Sequence, residues 1–317
     1  MSLAFVFPGQ GSQSVGMLTD LAARHPQVKD TFTEASGALG YDLWKLVADG
    51  PEERLNQTEH TQPAMLAAGV AVWRVWREAG GPAPVVMAGH SLGEYTALTC
   101  AGALDFIAAV KLVTDRGRYM QEAVPPGQGG IAAILGLEDE QVKQLCEAAA
   151  EGEVLAPVNF NSPGQVVVAG TAAAVERAVE QAKAAGAKRA VMLPVSVPSH
   201  CALMKPAAQR MAERLADISL RKPAIPVLHN AHVRAEQDPE AIKQALVRQI
   251  ESPVRWVEIV RKMAADGVDK LVECGPGRVL TGLNKRIAKE ATTLPVYDDD
   301  SLKLALGAVG AAARPAK

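Results

Sequence analysis

The sequence predicts an α/β protein: a large domain on a mostly parallel sheet, with a small βαββαβ module inserted into it. Three observations predict this. Apolar runs at Leu3–Phe7 and Pro84–Ala88 each lead through a glycine-containing turn into helical patterns, the order of parallel α/β units. The stretch Pro125-Pro126-Gly127-Gln128-Gly129-Gly130 breaks that order and reads as a linker. Beyond it, short strands alternate with two helices until the larger pattern resumes near Val197. The 317 residues leave room for one large domain or two smaller ones. We place the large domain at residues 1–124 and 197–317 and the small one at 125–196.

Taken in order, the chain opens with strand Leu3–Phe7 and the loop Pro8-Gly9-Gln10-Gly11-Ser12-Gln13. Helical patterns follow around Gln27–Ala38 and Gln62–Glu78, then strand Pro84–Ala88 and helices Glu94–Ala101 and Asp105–Val124. The module holds strand Ile131–Leu135, helix Asp139–Ala150, strands Val154–Asn159 and Gln165–Ala169, helix Ala172–Ala185 and strand Ala190–Leu193. Thr171 is placed to cap the second helix, and Asn161-Ser162-Pro163-Gly164 to turn the hairpin. That order is ferredoxin-like. The large domain resumes with helix Ala202–Leu215, a strand near Val227–His229, helices Pro239–Ile250 and Val254–Ala265, strand Lys270–Val272 and helix Val279–Lys289. The tail Ala311–Lys317 is expected to fray.

Gly89-His90-Ser91-Leu92-Gly93 lies between a strand and a helix, the context of a nucleophile elbow in an α/β-hydrolase-like domain. A serine there presents its hydroxyl on a sharp turn. The flanking glycines remove side chains that would meet neighbouring backbone, and the helix start offers free N–H groups to a developing oxyanion. The competing reading is a tight turn in which Ser91 caps the helix. A nucleophile needs a base, and the chain has six histidines. His90 adjoins Ser91, but neighbours in a tight turn rarely point the same way. His200, beside Pro198 where the large domain resumes, is favoured over His25, His60, His229 and His232. Its competing role is a turn histidine bonded to backbone. No acid stands out as its partner, and a backbone carbonyl or an amide could serve. Arg116 follows on the next helix. Near the serine it would suit a substrate with a free carboxylate, which guanidinium grips in a bidentate fork. Pattern alone favours a surface ion pair for it.

Several function classes are disfavoured. A net charge of −2, with Lys and Arg dispersed, gives no reason to expect nucleic acid. The N-terminus lacks the basic and apolar regions of a signal peptide. The longest uncharged stretch, Val154–Val175, is broken by prolines, asparagines and glycine, so no membrane span is expected. Cys100, Cys146, Cys201 and Cys274 show no C-x-x-C spacing and read as reduced, partly buried thiols of a cytoplasmic protein, with no metal site expected. The loop Pro8–Gln13 lacks the lysine of a phosphate loop and the spacing of G-x-G-x-x-G, so no nucleotide site is expected there.

Five collinear segments carry a resemblance: Phe5–Gln13, Gly89–Tyr95, Val197–Met204, Ser252–Trp256 and Glu273–Leu280. Over nearly its full length the chain resembles the malonyl-CoA:acyl-carrier-protein transacylases of bacterial type II fatty acid synthesis. The resemblance implies that Ser91 attacks the malonyl thioester and that His200 shuttles its proton. It implies an oxyanion hole from the N–H groups of Gln10 and Leu92, and Arg116 on the malonyl carboxylate. It gives the backbone carbonyl of Gln249 the task of orienting His200, and it puts Asn159, Asn161, Met120 and Val197 along the cleft. Cys274 departs from the small apolar residue expected in its motif and reads as a packing variation. No cofactor is implied, because malonyl-CoA is a substrate and phosphopantetheine is carried by holo acyl carrier protein. A monomer is the family expectation. The carrier protein is acidic, so Lys188, Arg189, Lys285, Arg286 and Lys289 are candidates for a docking rim, each singly readable as solvated surface. Three other readings stay open: a polyketide-synthase-type acyltransferase acting in trans, a serine thioesterase or other hydrolase, and a non-catalytic carrier-binding module.

Overall fold

The computed structural model describes residues 2–194 and 197–310. Met1, residues 195 and 196 at the expected domain boundary, and the tail expected to fray lie outside the described residues. Nine strands are described: β1 (Leu3–Phe7), β2 (Val86–Gly89), β3 (Gly129–Leu135), β4 (Leu155–Ser162), β5 (Gln165–Thr171), β6 (Arg189–Met192), β7 (Val227–Leu228), β8 (Lys270–Cys274) and β9 (Thr292–Val296). They form two sheets, one of order β7-β2-β1-β8-β9 and one of order β4-β5-β3-β6. Every pairing in the first is parallel. Every pairing in the second is antiparallel.

β1 is the centre of the larger sheet, and all five of its residues are apolar and buried, as a strand covered on both faces requires. Its side chains alternate between two cores. Phe5 and Phe7 join Trp76, Met87 and Leu98 on one face. Ala4 and Val6 join Ala88, Trp256 and Ile259 on the other. Phe7 pairs with Gly89, so β1 and β2 end level. The loop after β1 and the elbow after β2 therefore emerge side by side at the carboxyl edge, where open α/β sheets build their sites.

The smaller sheet divides its faces by the same two-residue period. Ala132, Ile134, Val166 and Val168 pack with Val142, Leu145 and Val175 of the helices Asp139–Ala150 and Ala172–Ala184. Ile131, Val167 and Ala169 turn the other way and meet Val158 and Cys201. Thr171 caps the second helix, accepting from the N–H of Ala174.

Several boundaries differ from expectation. The helix expected from Val254 begins at Trp256, because the backbone of Val254 is taken by the edge of β4. Its N–H donates to Val158 O at 2.8 Å and its carbonyl accepts from Phe160 N–H at 3.0 Å, which ties β4 to the segment entering that helix. The hairpin turn is shorter than expected. β4 runs on through Ser162, and Pro163-Gly164 closes the turn with Gly164 at φ 71°. The helix expected from Gln62 starts a turn earlier, at Thr58, with Pro63 inside it.

Candidate active site

The elbow is built from conflicts that glycine resolves. A Cβ on Gly89 would lie 1.8 Å from the carbonyl carbon of Gly93, and one on Gly93 would lie 2.1 Å from Phe7 O. Ser91 sits at φ 53°, a left-handed conformation that costs a non-glycine residue about 1–3 kcal/mol. Side chains from distant segments hold it there. The Ser91 N–H donates to Asn230 Oδ1 at 2.7 Å, and Asn230 Nδ2 donates to Gly89 O at 2.7 Å. Gln249 Nε2 donates to Ser91 O at 2.9 Å.

His200, rather than His90, meets the serine. Ser91 Oγ lies 2.7 Å from His200 Nε2, and His200 Nδ1 lies 2.8 Å from the backbone carbonyl of Gln249. A carbonyl can only accept, so Nδ1 carries the proton and Nε2 is free to accept from the serine hydroxyl. His200 is itself at φ 67°. Its backbone N–H donates to Ile250 O at 3.0 Å, which fixes the turn beside the C-terminal end of helix Pro239–Glu251.

Burial, and after it the Arg116 charge, lower the His200 pKa from 6.5 to about 3. The imidazole is therefore neutral, the form that accepts a proton. An unperturbed histidine would be about 97% protonated at pH 5. Acylation of Ser91, followed by quenched intact-protein mass, is thus expected to keep its pH 7 rate at pH 5. A fall of about tenfold or more would mean that His200 titrates like a free imidazole. Folding stability carries the matching sign. Between the unfolded value of 6.5 and the folded value of about 3, the unfolded chain binds the proton and the folded site does not, so stability falls as pH falls through that window.

Arg116 is 1% exposed, against the surface reading that pattern favoured. Its Nη1 donates to Gln62 Oε1 at 2.9 Å, and its Nη2 donates to Gln249 Oε1 at 3.0 Å and to Ser91 Oγ at 3.2 Å. The guanidinium stands 5.3 Å from the centre of the Tyr95 ring. Burial lowers its pKa, and Tyr95 and Glu94 oppose that. All its hydrogen-bond acceptors are neutral oxygens. The site thus holds a buried cation, beside the nucleophile, with no carboxylate directly on it.

These groups open on a cleft of about 550 Å³ lined in part by Gln10, Leu92, Met120, Asn159 and Val197. The N–H groups of Gln10 and Leu92 have no acceptor among the described residues, so both remain free to donate. The Asn159 Oδ1 atom is buried without a partner. Asn161 departs from expectation: it does not line the cleft, and its Oδ1 instead lies 2.8 Å from His90 Nε2. Asn161 lies where the β4 register shifts, between Phe160 and Ser162. Gln62, Glu94 and Asn230, and the side chain of Gln249, were not foreseen. Glu94 carried the one available signal, an acid in the first turn of the elbow helix, which reads equally as a dipole partner.

Lys188, Arg189, Lys285, Arg286 and Lys289 are all exposed. Arg189 pairs with Leu135 and Leu135 with Gln165, whose Oε1 accepts from Arg286 Nη2 at 2.7 Å. Arg189 of the small sheet and Arg286 of helix Val279–Ile287 therefore share one rim. Among the described residues, no cluster of His, Cys, Asp and Glu could hold a metal ion, and no helix is long and apolar enough to cross a membrane.

A family model described as acyl transferase domain matches residues 4–302. The chain belongs to the acyl transferase family. This acyl transferase is 59% identical over 303 residues to the malonyl CoA-acyl carrier protein transacylase of Escherichia coli strain K12, covering 96% of this chain and 98% of that one. Its counterpart in Haemophilus influenzae is 60% identical over 296 residues, covering 93% and 95%. Among solved structures, the acyl carrier protein S-malonyltransferase of Vibrio cholerae superposes with a TM-score of 0.94 at 61% identity, covering 96% of this chain and all of that one (100%). A malonyl-transacylase in complex with a type II PKS acyl-carrier protein superposes with a TM-score of 0.96 at 58% identity, covering 97% and 100%. The acyl transferase therefore bears out the resemblance carried by its five motifs.

Proposed function

We propose that this acyl transferase moves a malonyl group from malonyl-CoA to the phosphopantetheine thiol of acyl carrier protein, through an ester on Ser91, in fatty acid biosynthesis. The observation that carries the reading is the position of Arg116. In a malonyl thioester the reacting carbonyl carbon and the carboxylate carbon are about 2.5 Å apart, two carbon–carbon bonds at a tetrahedral angle. A carboxylate held by the guanidinium must then lie next to the nucleophile, and Arg116 Nη2 is 3.2 Å from Ser91 Oγ.

Ser91 Oγ attacks the thioester carbonyl while its proton passes to His200 Nε2. The negative charge that develops on the carbonyl oxygen is met by the N–H groups of Gln10 and Leu92. Collapse breaks the carbon–sulfur bond, and the CoA sulfur leaves with the proton from His200. In the second half-reaction the phosphopantetheine thiol gives its proton to His200 and attacks the ester. Ser91 leaves and takes the proton back. The Gln249 carbonyl keeps the imidazole in the tautomer both halves need. No cofactor is required, since CoA and phosphopantetheine enter as parts of substrate and partner. The test is intact-protein mass after mixing with malonyl-CoA. A malonyl-sized adduct discharged by holo acyl carrier protein is expected, and steady CoA release without an adduct would point to a hydrolase.

The exposed cationic rim is where the acidic carrier protein would dock. Arg189→Glu combined with Arg286→Glu is expected to raise the KM for holo acyl carrier protein about tenfold and to flatten its dependence on salt. An equal loss in the first half-reaction, malonylation of Ser91, would count against docking there. We also read residues 1–124 and 197–317 as one domain and 125–196 as an inserted ferredoxin-like domain. The antiparallel order β4-β5-β3-β6, with both of its helices on one face, supports that reading.

A further inference from the structure

Glu94 is a fully buried acid beside the elbow, and no step of the reaction uses it. Both of its oxygens are occupied. Oε1 lies 2.7 Å from His229 Nδ1. Oε2 accepts from the Asn230 backbone N–H at 2.9 Å and from Gln249 Nε2 at 3.0 Å. A carboxylate only accepts, so it dictates how each partner is turned. Gln249 must present its NH2 to Glu94, which leaves Oε1 facing the Arg116 guanidinium. Its second N–H reaches Ser91 O. Asn230, anchored through its backbone, aims one end of its amide at the Ser91 N–H and the other at Gly89 O.

We propose that Glu94 is a positioning residue for malonyl transfer: as the acceptor behind Gln249, it sets the guanidinium that receives the malonyl carboxylate. The inference rests on the malonyl-transfer reading above. The competing role is purely structural, a buried partner for His229 that keeps the elbow helix in place.

The two roles separate in substrate discrimination, read as the ratio of Ser91 acylation by malonyl-CoA to that by acetyl-CoA. Glu94→Met removes one of the two acceptors that hold the Gln249 NH2 and leaves only Ser91 O, so Arg116 faces a less firmly fixed partner. The malonyl-to-acetyl ratio is expected to fall about tenfold, the equivalent of one hydrogen bond to a charged group. Glu94→Gln should restore it, because its carbonyl can still accept from Asn230 and Gln249 while its NH2 donates to His229. In a Gln249→Met background, Glu94→Met should change the ratio little further, since the route through Gln249 is already gone. If Glu94→Met does not fold, Glu94→Asp carries the same comparison, because it withdraws the carboxylate by one methylene and cannot span both partners. Equal losses with malonyl and acetyl substrates would overturn the proposal. So would a full additional effect in the Gln249→Met background. Absence of any malonyl adduct on the unaltered enzyme would overturn the malonyl-transfer reading itself.

Discussion

Ser91→Ala is expected to abolish the malonyl adduct and to lower transfer to acyl carrier protein by about 10⁴-fold or more. The size follows from the absence of a substitute. His200 would remain neutral and in place, but its Nε2 would face a methyl group rather than a hydroxyl. The thiols offer no second route. Burial raises Cys201, the neighbour of His200, to about 11, and its Sγ donates to Pro198 O at 3.1 Å. Cys100 and Cys274 are pushed up by burial as well. A protonated, enclosed thiol is a poor nucleophile. The fold should survive, because the hydrogen bonds that hold the elbow run through the Ser91 backbone rather than its Oγ. Intact mass and a thermal melt of the variant, measured together, check both halves. A malonyl adduct persisting on Ser91→Ala at the rate of the unaltered enzyme would sink the assignment of the nucleophile.

The parts of this site that were legible in the sequence are those with local causes. The elbow was readable because the steric demands that force glycine at 89 and 93 arise within five residues and against the adjoining strand end. His200 was readable because a rigid proline turn marks a place where the chain must stop and redirect. The parts that were not legible are set by long-range packing. Asn230 and Glu94 hold the elbow from 136 residues apart along the chain, and no local pattern ties a polar residue after a short strand to an acid in a distant helix. Gln249 could be placed through the resemblance alone, and there only its carbonyl; its side chain, which touches Arg116, Glu94 and the Ser91 carbonyl, gave no signal. Arg116 stood on a recognisable helix, yet which side of that helix faces the core depends on the partners it meets. The edge strand β9 was missed for a related reason. It is short, carries two threonines and Pro295, and takes its strand form from pairing with β8.

The second large effect is expected at Arg116, and it should separate function from stability. Arg116→Met keeps the length and much of the volume of the side chain but removes the charge. Malonyl acylation of Ser91 should fall by the equivalent of about 2–5 kcal/mol, roughly 30- to 5,000-fold, the range for removing one partner of a buried, hydrogen-bonded charge pair on binding. Acetyl acylation has no carboxylate to lose and should change far less, so the enzyme's preference should shift toward acetyl. Stability should change far less than malonyl acylation, in either direction. The folded protein keeps this guanidinium dry with two glutamine carbonyls and no acid on it, an arrangement with a desolvation penalty that the pairing does not fully offset. Removing it leaves the two carbonyls short of a donor, about 1–3 kcal/mol each at most, while relieving a penalty of several kcal/mol. Denaturant unfolding of Arg116→Met is therefore expected within about 2 kcal/mol of the unaltered protein, on either side. If malonyl and acetyl acylation fell together, or if the variant unfolded far more easily, Arg116 would be a structural cation. A stable variant that has lost malonyl and kept acetyl would mean that the chain maintains an unfavourable buried charge because the substrate's carboxylate completes it.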